Sequence, residues 1–463
     1  MNRLGRKVGL YFLGNMSTKF LSVAMLPVYA FSVTSAELGR YDYFLAIGQT
    51  LSPLIYLAIW EAALRFVIVD KETTAIPTLI VFTSIVSTIC VALVGGALLI
   101  FGGSFEELAS VAAVTMAYGV VQVWQYVARA EQRASLYMAS GVTSSIVTFV
   151  LVVVLVVIYQ LGFTGLIISY LVGQLSIIVL IEARLAVLRQ FSFRKFDRRV
   201  FMRMTRYAAP LMINLVALSL LGSFGKILIF NTMGETQAGI YSFAMKFASI
   251  VVSLGTIVSM SVIEEGLLRA HSPEVHNFYT KILDSLVRIL LILGIVLAPV
   301  LIVIFEFLKD TDYYEARSLI PLFLLYAISS VLATHFGSVF MTVGKTAMLG
   351  TSTIVGAVVT VVLSISLIGP LGLQGVVLGL AVGAVLTMVI RLLVARSKIP
   401  FVIPRGPTFL LAACYGGVCA GSLLLANHVP LWVLILASIL VAGVCVWPLL
   451  RSLKQIREIP DEI

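Results

Sequence analysis

Four stretches without a single Asp, Glu, Lys or Arg decide what this chain can fold into. Residues 73–105 make an uncharged run of 33, 134–181 one of 48, and 346–390 and 406–450 runs of 45 each. A helix crosses the hydrocarbon core of a bilayer with about 20 apolar residues, so each of the three longest runs is a hairpin of two spans. Only 12% of the 463 residues are charged, where a soluble protein carries about a quarter. The fold class is therefore an all-α polytopic membrane protein, and a soluble enzyme is excluded.

Counting spans predicts 14 transmembrane helices, at about 8–31, 41–66, 76–101, 108–128, 137–159, 164–188, 207–230, 239–263, 283–305, 317–341, 348–368, 373–395, 408–426 and 431–450. Arg3, Arg6 and Lys7 precede an apolar stretch broken by Asn15, Ser17, Thr18 and Lys19, which reads as a retained first span rather than a cleaved signal peptide. Summing Lys and Arg over alternate loops places 26 of the 32 on one side and 3 on the other, with 3 inside spans. Cationic loops stay in the cytosol, so both termini are expected there. The net charge of +10 is this asymmetry, and it gives no reason to invoke nucleic acid. Cys90, Cys414, Cys419 and Cys445 all sit in apolar runs without metal-binding or redox spacing, and no cofactor motif stands out.

The chain repeats itself. Leu161-Gly-Phe-Thr-Gly165 with Gly173 returns as Leu371-Gly-Leu-Gln-Gly375 with Gly383, and Leu38-Gly39-Arg40-Tyr41 matches Ala238-Gly239-Ile240-Tyr241. Two six-span lobes related in parallel are expected, at 1–188 and 207–397, followed by an appended helix pair and tail at 398–463. The connecting segment 189–206 is basic. Its Phe193, Phe196, Val200 and Met204 recur at helical spacing, predicting an amphipathic helix on the cytosolic leaflet, drawn to anionic lipid.

Three cations inside spans are the sharpest candidates. Lys19 stands about 11 residues from either end of its span, where a lysine costs roughly 2.5–3.5 kcal/mol and usually faces a cavity or a partner. Lys246 lies about two turns inside span 8, and Lys226 is four residues from the outer end of span 7, within reach of snorkelling. Together they form a candidate cationic headgroup site. Polar stripes suggest a cavity lining: Tyr118, Gln122, Gln125 and Arg129 on span 4; Tyr326, Ser330, Thr334 and Ser338 on span 10; Asn15, Gln49 and Asn214 elsewhere. The same faces could instead glue helices together. Glu61 and Arg65, four apart, read as an intrahelical pair with a gating or structural role. Glu264 and Glu265 read as solvated helix-end charge, and Glu306, Asp310, Asp312 and Glu315 as a solvated acidic outer loop. His335 could titrate in a proton-coupled cycle or be a core histidine.

Pro27-Val-Tyr, Ser35-Ala-Glu-Leu-Gly-Arg-Tyr-Asp-Tyr, Ala63-Leu-Arg-Phe-Val and the paired repeat resemble the polysaccharide-transporter branch of the multidrug/oligosaccharidyl-lipid/polysaccharide exporter superfamily. The resemblance covers the whole chain. It implies a flippase carrying an undecaprenyl-pyrophosphate-linked oligosaccharide from the inner to the outer leaflet of a bacterial cytoplasmic membrane by alternating access, with Lys19, Lys246 and Lys226 placed like the cations that hold the headgroup. Polysaccharide-assembly proteins are possible partners. The driving force is left open between protons, sodium and the membrane potential. A peptidoglycan-precursor flippase, a multidrug cation antiporter and a membrane polysaccharide polymerase are the alternatives. The antiporter would call for carboxylates in its cavity, and span 1 carries Lys19 and no acid.

Overall fold

The computed structural model describes residues 21–101, 106–268, 275–343, 345, 347–399, 401, 405–426 and 430–457. They are helical, with no strand among them. Ten helices are long and apolar enough to cross a membrane, or eleven when a bent pair is taken as one span. The chain divides into two compact units, one ending at Gly239 and the other beginning at Ile240.

In the first unit, a short apolar helix α1 (Leu21–Ser32) leads into α2 (Ser35–Ile55). Thr34 caps α2 by accepting the Glu37 N–H at 3.3 Å, while the Glu37 carboxylate accepts the Thr34 N–H at 3.0 Å. This reciprocal box satisfies two donors that a helix start leaves open. The span then breaks. Leu57 and Ala58 adopt φ of 55° and 44°, and α3 (Trp60–Leu64) with the π-helical turn Arg65–Val69 leaves at a bend of 57°. The backbone freed at the break finds local partners: the Ala58 N–H donates to the Pro53 carbonyl at 2.8 Å and the Ile59 N–H to Tyr56 at 3.1 Å. Such irregular backbone is tolerated at membrane depth where protein covers it. Tyr56, fully buried, covers it here, with its hydroxyl 2.7 Å from Ser87 Oγ and its ring against Gly119.

Helices α4 (Ala75–Phe101), α5 (Glu106–Ala130), α6 (Ala134–Val152), α7 (Gly162–Leu185) and α8 (Arg198–Met233) complete this unit. Tyr56, Trp60, Leu79, Trp124, Val127, Ile181, Val200 and Met204 pack into one buried cluster. Lipid tails are as apolar as these side chains, so close packing rather than water exclusion holds such a core.

The segment between α7 and α8 is not the amphipathic surface helix that its spacing predicts. It forms two 3-10 turns, Val187–Gln190 and Phe193–Lys195, stitched to the bundle. Both oxygens of Glu182 accept the Leu188 N–H at 3.1 Å, and the Asp197 N–H donates to Thr78 Oγ1 at 3.1 Å. Asp197 then caps α8, accepting the N–H groups of Arg199 and Val200 at 2.7 and 3.2 Å. The helix started there runs unbroken for 36 residues, so Val200 and Met204 face the core instead of lipid headgroups, at 3% and 0% exposure.

The second unit takes most of α9 (Glu235–Leu268), then α10 (Val275–Glu306), α11 (Ile320–Thr342), α12 (Ala347–Lys398), α13 (Arg405–Ala426) and α14 (Leu431–Arg457). At 1.5 Å per residue the 52 residues of α12 would reach ~78 Å, far beyond one bilayer. Gly372, at φ 56° and ψ −135°, folds it into two helices. Its counterpart in the repeat, Gly162, stands at φ 50°, a region open to glycine at little cost. Within each hairpin the last matched glycine admits a threonine: a Cβ on Gly173 would strike Thr148 Oγ1, and one on Gly383 would strike Thr360 Oγ1.

Candidate functional site

In the first unit, α2 and α8 are joined by opposite charges. Asp42 Oδ2 lies 3.6 Å from Lys226 Nζ, with side-chain exposures of 5% and 23%. One residue on, the Tyr43 ring stacks on Phe230 with centroids 3.7 Å apart and planes 7° from parallel. Tyr29 of α1 and Tyr41 of α2, both buried, stand close enough to Asp42 to feel its charge. Lys226 is thus within a span, as expected, but with a carboxylate beside it. Sequence reasoning missed Asp42, although it is the only acid between Glu37 and Glu61.

A second polar cluster lies on α3, α5 and α6. Tyr126 donates its hydroxyl to Glu61 Oε1. The Arg129 guanidinium sits 4.8 Å from the Tyr126 ring centroid and 5.6 Å from that of Tyr137. Tyr118, Gln122 and Gln125 continue this face of α5, all half-buried, while Val121, Val123, Trp124, Val127 and Ala128 on the opposite side are buried. The predicted stripe is therefore a real face, and Tyr126 and Tyr137 belong to it although the spacing did not select them. Glu61 and Arg65 do not form the expected pair. Glu61 turns to Tyr126, and Arg65 lies over the Tyr207 ring at 5.1 Å. Arg65 stands where the α-helical stretch gives way to the π turn. Gln49 is half-buried on α2 and Asn214 is exposed on α8.

In the second unit, Tyr326, Ser330 and Thr334 are the half-buried positions on one face of α11, whereas Ser338 is buried. Lys246 is half-buried on α9. His335 is buried, with Nδ1 3.4 Å from Ser259 Oγ, as a core histidine is.

Two carboxylates depart from their expected solvation. Glu265 is only 2% exposed on α9. Glu306 is 6% exposed, held by Arg317 Nη1, by Lys309 Nζ at 2.6 Å and by the Tyr314 hydroxyl at 3.1 Å. That hydrogen bond to Glu306 raises the pKa of Lys309, which lies in the loop beyond α10. Both acids follow apolar helix runs, and the partners of Glu306 come from the turn that follows α10.

Arg391 reaches inward from α12. It donates to Ser352 Oγ at 2.9 Å, the Ala333 carbonyl at 3.0 Å, Thr353 Oγ1 at 2.8 Å and the Leu349 carbonyl at 3.3 Å. Lys19 and Asn15 lie outside the described residues. No group of three or more His, Cys, Asp or Glu able to hold a metal occurs among the described residues.

A family profile described as "Polysaccharide biosynthesis protein" matches residues 4–263. Among solved structures, the chain resembles the lipid II flippase MurJ in its inward closed conformation, at 14% identity and a TM-score of 0.64, over 96% of this chain and 99% of that one. It is also similar to an inward-facing multidrug resistance MATE family transporter of the MOP superfamily, at 15% identity and a TM-score of 0.57, over 86% and 95% of the two chains. A mutant of the Vibrio cholerae MATE transporter VcmN matches at 14% identity and a TM-score of 0.53, over 86% and 98%. No curated protein sequence matches the chain at a significant level. At these identities the solved structures speak to fold, and with the apolar helices they describe a multi-pass integral membrane protein.

Proposed function

Because this chain belongs to the polysaccharide biosynthesis protein family, we propose that it is a flippase moving an undecaprenyl-pyrophosphate-linked oligosaccharide from the inner to the outer leaflet by alternating access. The family match across residues 4–263 carries this reading. It is supported by a fold similar over 96% of the chain to a flippase for another lipid-linked saccharide, and by local glycine geometry repeated at Gly162 and Gly372.

The reading includes fourteen spans in two six-helix lobes with an appended pair, both termini in the cytosol of a bacterial inner membrane, and contact with anionic lipid through the basic 189–206 segment. Lys19, Lys226 and Lys246 act on the headgroup. A lysine ammonium in low dielectric attracts a phosphate oxygen far more strongly than it does in water. The α5 and α11 faces offer hydroxyls and amides to the sugars. Nothing in this scheme requires bond making, so the protein is a carrier rather than an enzyme.

Reconstitution tests it. Wild-type protein should deplete an undecaprenyl-pyrophosphoryl saccharide from the inner leaflet, and Lys19→Ala and Lys246→Ala should slow that depletion. Normal flipping by both variants would remove the lysines from the site. No wild-type transport across several saccharides would shift the function to drug export or to an enzyme. A peptidoglycan-precursor flippase is the second reading, favoured by the extent of the MurJ match, and transport of lipid II in the same vesicles separates the two.

A further inference from the structure

Between Glu315 and Glu458 the chain contains no aspartate or glutamate, so α11, α12, α13 and α14 carry cations and no acid. Arg391 stands among them, within the membrane-crossing length of α12. It precedes the helix end at Lys398 by about 10 Å at 1.5 Å per residue. A snorkelling arginine lays its stem towards the interface and puts its charge in water. Arg391 instead turns across to the Ala333 carbonyl on α11 and to Leu349, Ser352 and Thr353 near the start of α12.

These partners fix the fork, but all are uncharged. Arg40, Arg203, Arg288 and Arg317 each meet a carboxylate; Arg391 meets none among the described residues. The four bonds occupy Nε, both hydrogens of Nη2 and one of Nη1, which leaves one Nη1 hydrogen for a further acceptor. A charge within a span is costly unless something answers it.

Beside the guanidinium the surface is open. Gly350 is exposed and lies one turn before Thr353 on the same helix face, and a Cβ there would meet nothing within 4 Å. Next to it starts an exposed apolar stripe, Ile354, Val358, Val362 and Ile365. From Ile354 to Ile365 the helix rises about 16 Å, one leaflet's share of a hydrocarbon core about 30 Å thick. Lys345, between α11 and α12, and Lys398, at the end to which the α12 hairpin returns, add exposed positive charge.

We propose that Arg391 anchors an anionic glycerophospholipid. The headgroup enters beside Gly350, a phosphate oxygen takes the remaining Nη1 hydrogen, and an acyl chain lies along Ile354 to Ile365. The lipid supplies the counter-charge that no residue of these helices provides. A zwitterionic lipid would bring a second cation to a place already positive, and a free anion would leave the stripe uncovered. The site is separate from the basic 189–206 segment and is independent of what the protein carries.

The test is photolabelling of full-length protein in detergent, with phosphatidylglycerol and phosphatidylcholine bearing the same diazirine acyl chain, and mass mapping of residues 347–365. Wild type should take about fivefold more label there from phosphatidylglycerol, as one basic residue near an anionic lipid implies. Arg391→Gln should erase that preference. Because this change also breaks the four hydrogen bonds, two substitutions at Gly350 give a reading that leaves them in place. Gly350→Glu supplies the missing charge from the chain itself, so it should erase the preference and raise the melting midpoint; Gly350→Gln should do neither. Equal labelling of wild type by the two lipids overturns the proposal, as does a preference that survives Arg391→Gln or Gly350→Glu. Competition by inorganic phosphate as strong as that by unlabelled phosphatidylglycerol overturns it too, because the ligand would then be a free anion.

Discussion

Gly39 and Gly239, repeat counterparts two hundred residues apart, stand against each other within the first unit. A Cβ placed on Gly39 would lie 2.7 Å from the Gly239 amide nitrogen and nearer still to the Glu235 carbonyl; one on Gly239 would run into the Ser35 carbonyl. The first turns of α2 and α9 therefore cross backbone to backbone, as small residues permit between membrane helices.

Neither glycine has room for a methyl group. Gly39→Ala and Gly239→Ala should each destabilise the protein by about 1–3 kcal/mol, the usual cost of overpacking. Thermal unfolding in detergent reads this as a lower midpoint, and an unchanged midpoint for both would contradict the close crossing.

Glu306 should be the most sensitive acid outside the first unit. Replacing it by Ala leaves Arg317, itself 13% exposed, without its carboxylate, a loss of about 3–5 kcal/mol for a buried pair. A double change to Glu306→Met and Arg317→Met should be milder, because the only charge then left without its partner is the exposed Lys309.

The same cluster gives a pH dependence. Lys309 is held protonated past its ordinary range by the hydrogen bond to Glu306. A group whose pKa is raised on folding stabilises fully below its unfolded value and loses that contribution as pH rises through the folded one. Wild-type protein should therefore lose stability in the alkaline range more steeply than Lys309→Gln. Parallel melting curves there would show that the pair adds nothing.

Removing the Tyr126 hydroxyl should cost about 1–3 kcal/mol, since a half-buried carboxylate loses its donor. Glu61→Gln keeps an acceptor for that hydroxyl and should cost less. Equal melting points for Tyr126→Phe and wild type would mean that water replaces the hydroxyl without loss.

Arg391→Lys should also destabilise, although it keeps the charge. One ammonium cannot reproduce the fork that joins Ser352, Thr353 and the carbonyls of Ala333 and Leu349. A midpoint unchanged by the lysine would make the charge, not the fork, the feature that matters.

Much of this architecture is legible in the sequence because it depends on near neighbours. Uncharged runs predict the helices, and the match of 161–165 with 371–375 foretells two glycines at positive φ. The α5 stripe is visible because helical spacing alone creates a face. What escapes is set by distant contacts. Nothing near Glu306 in sequence announces Arg317 as its partner across a turn, and Asp42 looks like an interfacial acid until α8 brings Lys226 beside it. The positive φ of Leu57 and Ala58 has no glycine to signal it, only Pro53 four residues earlier. The 189–206 segment misleads for a related reason: its apolar spacing is compatible with either a bilayer surface or a bundle, and the Asp197 cap decides between them.

The break between α2 and α3 has a mechanical consequence. A continuous helix transmits a tilt from one end to the other as a rod does. Here the portion anchored at the Gly39 crossing and the portion carrying Glu61 meet at two residues turned out of the helical path, so rotation of one need not be inherited by the other. The pair behaves as a jointed strut, able to keep its footing at one end while its far end changes aim.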